Sequence, residues 1–371
     1  MAKFIPTGKQ LEFMDWEFGM FFHFGIRSFY PGHDDWDGLP MPASAFNPVH
    51  LDCGNWVRAA KDAGAKYCIF VTKHHDGFAN WPSKYSDYSV AQSPWKDGKG
   101  DVVAEFVKAC RQYDVKVGLY YSPAQWGGTV KFDEPKAYDD YFINQISELL
   151  TNYGKIDYLW FDGCGSENHE YDKDRIIGVI RSLQPEIRIF SMWDPRWVGN
   201  EDGFADMPNI NAVDKADFSV NTTEARSVGG FRYLPAECDM KLRTTWFDCE
   251  ANSDMIKSVD ELCGIYEYSV GRGANLLLNI GPDSDGLLPE KDAARLLEFG
   301  DEIRRRYAPL PFTKVEKVSD TRWRVLANEF APGWRSDEVG TIMTDTVIIS
   351  EDISDGEAVE EFRVFAKMPC Y

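Results

Sequence analysis

The sequence predicts an α/β fold: an irregular (β/α)8, TIM-like barrel over residues 1–310, followed by a short C-terminal β unit over 311–371 that breaks off before it is complete. Three observations predict it. From residue 19 to about 310, short apolar β-rich runs alternate with amphipathic stretches, the rhythm of parallel strands joined by crossover helices. Eight such runs can be counted, the number a closed barrel needs. After "YAPLPFTKVEKVSD" the rhythm gives way to alternating segments such as "TRWRVLA", "EVGTIMTDTVIIS" and "EEFRVFAK", which sets a domain boundary near 310. A chain of 371 residues is long enough for one large domain plus an accessory unit.

Taken in order, the expected strands are "GMFFHFG" (19–25), "KYCIFVT" (66–72), "VKVGLYYS" (115–122), "IDYLWFD" (156–162), "IRIFSM" (187–192), "ADFSV" (216–220), "KLRTTWF" (241–247) and "NLLLNIG" (275–281). Helices are expected at 54–64, 101–113, 137–152, 172–183, 254–270 and 290–306, with Asp101 as the N-cap of the second. Between the fifth and seventh strands the pattern is loop-like, so the barrel is expected to be irregular there.

Acids outnumber bases 60 to 40 and the formal net charge is −20, a surface that repels nucleic acid and anionic membranes. Twelve Trp and seventeen Tyr exceed what a core needs, and flat amphipathic rings suit clefts that bind sugars, although most aromatics in any protein are core. Eight cysteines without a CxxC pair read as reduced, mostly buried thiols, and the opening segment lacks the apolar region of a signal peptide. A cytoplasmic location is expected, or a secreted one if a leader has been trimmed. No run is long and apolar enough to span a membrane.

In a barrel of this type the site lies at the carboxyl ends of the strands. The first strand brings His23 there and the second leads into "TKHHDGF" with His74 and His75; each could equally be a satisfied core histidine. The third offers Tyr120. The fourth offers Trp160 and Asp162, which share a face by the strand's period of two, and a carboxylate ending an apolar strand is costly to bury without partners; capping the next segment is the bland alternative. "WDPRWVGNEDGF" after the fifth holds Arg196 and Glu201, whose Glu would otherwise be a solvated charge.

Two carboxylates on separate loops, aromatic platforms, hydrogen-bonding histidines and no nucleophilic Ser or Cys motif fit glycoside hydrolysis. A rival reading makes the histidines and Asp162 metal ligands in a barrel hydrolase, but "FFHFG" lacks an H-x-H pair and adjacent histidines seldom chelate one ion. "GRGAN" lacks the spacing of a phosphate or dinucleotide cradle, and no cofactor is expected.

"FGMFFHFGIRSFY", "FNPVHLDCGNWVRAAKDAGAKYCIFVTKHHDGFANWPSKYSDYSV", "DVVAEFVKACRQYDVKVGLYYSP", "YLWFDG" and "GRGANLLLNIGPDSDGLLPE" together resemble the family 29 glycoside hydrolases, the α-L-fucosidases, over roughly residues 10–310. The resemblance implies a retaining, exo-acting enzyme on fucosylated oligosaccharides or glycoconjugates, with Asp162 as the nucleophile. It carries fucose-binding roles onto His23, His74, His75, Trp160 and Tyr120, and the acidic-Trp pair onto Asp35 and Trp36. "DPRWVGNEDGFA" and "YLPAECDMKLRTTWF" resemble the subgroup acting on α-1,3/1,4-linked fucose, which implies Glu201 as proton donor with Arg196 nearby and Trp246 at the pocket; Glu224 and Glu237 are fallback donors. "GCGSENHEYD" departs from that subgroup's longer glycine-rich loop, which bears on linkage. A non-catalytic fucose-binding protein of the same fold is the other alternative.

Overall fold

The computed structural model describes residues 4–33, 37–128, 130, 134–166, 169–190, 194–207, 209–217 and 225–307, and the backbone of 312–319 and 322–327. In chain order the elements are α1 (Gly8–Met14), β1 (Phe18–Phe22), α2 (Cys53–Ala63), β2 (Tyr67–Lys73), α3 (Val102–Gln112), β3 (Lys116–Tyr121), α4 (Pro135–Asn152) and β4 (Tyr158–Phe161). They continue with α5 (Lys173–Leu183), β5 (Arg188–Phe190), β6 (Arg196–Trp197), β7 (Ala212–Asp217), β8 (Ala225–Tyr233), β9 (Ala236–Lys241), α6 (Val259–Ser269), β10 (Ala274–Ile280) and α7 (Glu290–Arg306). The last two strands are β11 (Phe312–Ser319) and β12 (Arg322–Ala327).

The main sheet runs β5-β4-β3-β2-β1-β10-β9-β6-β7-β8. Its first eight strands pair in parallel, and the two edges of that set approach where Ile189 bridges Asp194, just before β6. This is the expected (β/α)8 barrel, nearly closed, with β11 and β12 forming a separate antiparallel pair.

Two of the eight strands differ from expectation. The sixth place is filled by the short β6, while 212–217 belongs to an antiparallel arm with β8 outside the parallel set. The seventh is β9, which ends at Lys241 where "KLRTTWF" was expected to begin. The cause lies in β9's pattern: its inward face is Glu237, Asp239 and Lys241, and its outward Cys238 and Met240 pack under the helices, so charge points into the barrel and the pattern does not read as a strand.

Register fixes which residues look inward. Gly19 pairs with Tyr67 and Leu277, Phe21 with Ile69 and Asn279, Tyr120 with Trp160, and Leu277 with Asp239. Their alternates, among them Met20, Phe22, Phe70, Leu119, Phe161 and Leu278, join the larger core between strands and helices. At Gly19 a Cβ would stand 2.3 Å from the Tyr67 ring, so only glycine leaves room for that ring inside the barrel. The amino-terminal end is filled by α1, started by a Thr7–Gln10 capping box: its Phe13 and the following Trp16 pack on Tyr67, and Phe13 also meets Tyr158.

Helix ends follow local chemistry. Asp52 and Asp101 accept the Asn55 and Ala104 amides as N-caps, the latter as expected, and the Ser258–Glu261 capping box starts α6 at Val259, later than the expected 254. Among the described residues seven cysteines are free, five of them buried, and no helix is long and apolar enough to cross a membrane.

Candidate active site

Asp162 follows β4 directly and keeps 22% of its side chain exposed. The Tyr120 hydroxyl donates to its Oδ2 at 2.7 Å, and the Cys164 amide donates to Oδ1 at 2.9 Å as the chain turns away through Gly163. Two donors hold the carboxylate in one orientation. His75 Nε2 lies 3.6 Å from the same Oδ2. Ser122 gives its hydroxyl proton to the Ala124 carbonyl, so His75 Nδ1 is the donor in its 2.6 Å bond to Ser122 Oγ, and the ring is aimed by that bond.

Trp160, two residues before Asp162, is stacked between Phe190 (4.2 Å, 8°) and Tyr120 (5.5 Å, 21°). Its indole N–H donates to Glu237 Oε1 at 2.9 Å. The Tyr158 and Tyr67 hydroxyls donate to the same carboxylate at 3.0 and 2.7 Å. Burial raises Glu237 to about 7 against these three donors, which work in the other direction. This fallback donor therefore sits inside the barrel, 1% exposed, with its oxygens already engaged by Trp160 and two tyrosines.

His23 donates from Nδ1 to Asn279 Oδ1 at 2.7 Å, and the Asn279 amide is in turn fixed by donating to the Trp246 carbonyl. Burial pushes His23 down to about 3, opposed by the Asn279 bond and helped by the nearby Arg27 charge, so its ring is neutral and Nε2 is an acceptor. His74 is likewise pushed well below the usual range, chiefly by burial and then by the charges of His75 and Arg27. Its ring stacks on Tyr120 and meets Phe247 edge to face, and the Arg27 guanidinium lies over the Phe247 ring at 5.0 Å from its centroid. Trp246 stacks on His23 at 4.8 Å.

Just behind these rings, Lys73 is fully buried, donates to Gln125 at 2.7 Å, and rests over Tyr121 and Tyr141. It anchors the end of β2 from which His74 and His75 project.

Glu201 belongs to the loop that climbs from β6 beside β9. Asn200 Oδ1 accepts the Asp202 and Phe204 amides, Asp202 bridges Met240, and Gly203 adopts φ +79 where a Cβ would meet Ile265 at 2.6 Å. The loop is thus pressed onto β9 and α6. Glu201, 47% exposed, takes the Lys241 ammonium on Oε2 at 2.7 Å, and that same Nζ lies 4.5 Å from the Trp246 ring centroid. Below it on the inward face of β9, Asp239 accepts from Trp197 Nε1 at 2.7 Å; burial, with the Glu201 charge next, raises its carboxyl well above the usual range.

The structure therefore gathers His23, His74, His75, Tyr120, Trp160, Asp162 and Trp246 at one mouth, and links Glu201 to them through Lys241. Arg196 is not brought there: it pairs with Ala236 at the amino end of β9, and its guanidinium bonds Asn209 and Asn211. Asp35, Trp36 and Glu224 lie outside the described residues. Asn279, Ser122 and Lys241 were not anticipated. Of these, Asn279 alone had a signal, as a polar residue on the inward period of "NLLLNIG". Among the described residues no group of three or more His, Cys, Asp and Glu side chains is disposed to hold a metal ion.

A family model described as alpha-L-fucosidase matches residues 40–306. The chain is 38% identical over 308 residues to alpha-L-fucosidase 1 of Arabidopsis thaliana, covering 80% of this chain and 60% of that protein. A relative from Oryza sativa subsp. japonica is 34% identical over 392 residues, covering 97% of this chain and 75% of its own. Among solved structures, a glycoside hydrolase 29 family member from an unknown rumen bacterium superposes with a TM-score of 0.78 at 32% identity, covering 86% of this chain and 61% of the other. A Ruminococcus gnavus GH29 fucosidase in complex with fucose gives 0.70 at 27%, covering 85% and 72%.

Proposed function

The chain belongs to the α-L-fucosidase family, and from that premise we propose that it removes terminal α-L-fucose from oligosaccharides or glycoconjugates, with retention at the anomeric carbon. The observation that carries the reading is Asp162: a carboxylate at the end of a barrel strand, held by the Tyr120 hydroxyl and the Cys164 amide yet open to the mouth. A carboxylate so oriented is suited to attack carbon, because neither donor has to move when its charge is spent.

In the first step an Asp162 oxygen bonds to C1 as the C1–O glycosidic bond breaks, and Glu201 passes its proton to the departing oxygen. In the second, water bonds to C1, gives its proton to Glu201, and Asp162 is released. Retention requires the two carboxyl groups to work about 5 Å apart. Neutral His23 and the aimed His75 supply hydrogen bonds for sugar hydroxyls, and Trp160, Tyr120 and Trp246 supply ring faces. The chain spans 60% of the Arabidopsis relative, so the activity is read from this domain's own site.

The preference for α-1,3/1,4 linkages is supported by the likeness of "DPRWVGNEDGFA" and "YLPAECDMKLRTTWF" to the subgroup acting on those linkages. Turnover of an aryl α-L-fucoside is expected, and Asp162→Ala is expected to reduce it about 10⁴-fold or more. Proton NMR of the first-formed sugar should show the α anomer. Fucose binding without turnover in the intact chain would sink the catalytic reading, and equal rates on aryl and branched α-1,3/1,4-fucosylated substrates would sink the linkage preference.

A further inference from the structure

Glu201 projects from an exposed loop, and a proton donor must be held within a few tenths of an ångström of the departing oxygen to be useful. Among the described residues its one hydrogen-bonding partner is Lys241. Lys241 itself is well placed: it closes β9, pairs in register with Asn279, and lays its ammonium over Trp246. Asn279 holds His23 and the Trp246 carbonyl, so the residue that touches Glu201 is built into the same framework that aims the sugar-binding ring.

We propose that Lys241 is the positioning residue of the proton donor, coupling the Glu201 loop to the pocket wall at Trp246; this rests on Glu201 being the donor. The ammonium occupies Oε2 and leaves Oε1 as the oxygen that gives and takes the proton. The interaction also grows during the reaction. Lys241 faces an uncharged acid before transfer and a carboxylate after it, so it stabilises the donor as charge develops there. Its stem and ammonium are 77% buried against strand and indole, which fixes the charge in one place where a free surface lysine would wander.

The test is a series of aryl α-L-fucosides with leaving groups of increasing basicity, compared by kcat/KM in the full chain. A poor leaving group needs the donor and a good one does not. Lys241→Met keeps the stem over Trp246 and removes the charge. For it, kcat/KM on the poorest leaving group is expected to fall about fivefold, the equivalent of roughly 1 kcal/mol for a half-exposed pair, while the best leaving group changes by less than about 1.5-fold. Lys241→Arg should restore most of the loss, and unchanged fucose inhibition should show the pocket intact. A uniform loss across the series, or no loss, overturns the proposal. Glu201→Gln runs alongside with an expected loss of about 10²-fold on the poorest substrate. If Glu201→Gln steepens the series and Lys241→Met does not, the positioning role alone falls. If Glu201→Gln leaves the series flat, the donor assignment falls and takes this role with it.

Discussion

Asp162 and Glu201 stand on two differently built parts of one barrel and are held by different means. On the β1–β4 side, strands are four to seven residues long and pair in parallel, with one register shift between Val71 and Lys73, and the inward rings of Phe21, Tyr120 and Trp160 pack together toward the carboxylate. On the β5–β9 side, β5 has three residues and β6 two, an antiparallel arm extends the sheet beyond the parallel set, and Glu201 hangs on a single ion pair at the rim. Asp162, the proposed nucleophile, is therefore fixed by packing through the depth of the domain, where close-packed rings have few alternative arrangements. Glu201, the proposed donor, is held by a loop and one charge, a construction that leaves the loop free to vary without disturbing the ring-lined wall.

This contrast can be broken from either side. The largest effect is expected from Trp160→Ala, which empties the space between Phe190 and Tyr120 and removes one of Glu237's three donors. A loss of about 4 kcal/mol in unfolding free energy should appear in denaturant titration, with loss of activity; a change below about 1 kcal/mol would mean that the stack does not brace the nucleophile's half.

Next comes the pH dependence of Glu237. In the folded chain this group keeps its proton up to about 7, whereas in the unfolded chain it releases it near 4.5. The stability it contributes is therefore complete below pH 4.5 and lost as pH rises through 7, a span of about 3 kcal/mol. Glu237→Gln cannot titrate, so unfolding curves of the two proteins at pH 5 and pH 8 should diverge by that order, and parallel curves would overturn the raised titration of Glu237. The smallest effect belongs to the donor side. Gly203→Ala must carry a side chain at φ +79 against Ile265, and should cost about 1 to 2 kcal/mol in stability while lowering kcat more on poor leaving groups than on good ones.

The same division governs what could be read in the sequence. β4 announces itself because "YLWF" is apolar on both faces, one toward the helices and one toward the ring stack, and a period of two then places Asp162 with Trp160. β9 does not, because its inward residues are Glu237, Asp239 and Lys241, whose partners come from Tyr67, Tyr158, Trp160, Trp197 and Glu201 far away in the chain. No local pattern tells a buried charge with distant partners from an exposed one. His23, His74 and His75 were legible as candidates, while Asn279 and Ser122, which orient two of them, act across strands and emerge only with the register. The position of Arg196 shows the converse: sequence proximity to Glu201 hides that the chain climbs the whole height of β9 between them.

The plug formed by α1 carries a consequence for traffic. With Phe13 and Trp16 packed beneath Tyr67, and Phe13 meeting Tyr158, the amino-terminal end of the barrel is closed to anything bound among the rings at the strand ends. A chain of sugars cannot thread through that end, which suits the proposed removal of a terminal residue. If the proposed two-step reaction holds, the aglycone leaves and water arrives by the same side, one after the other.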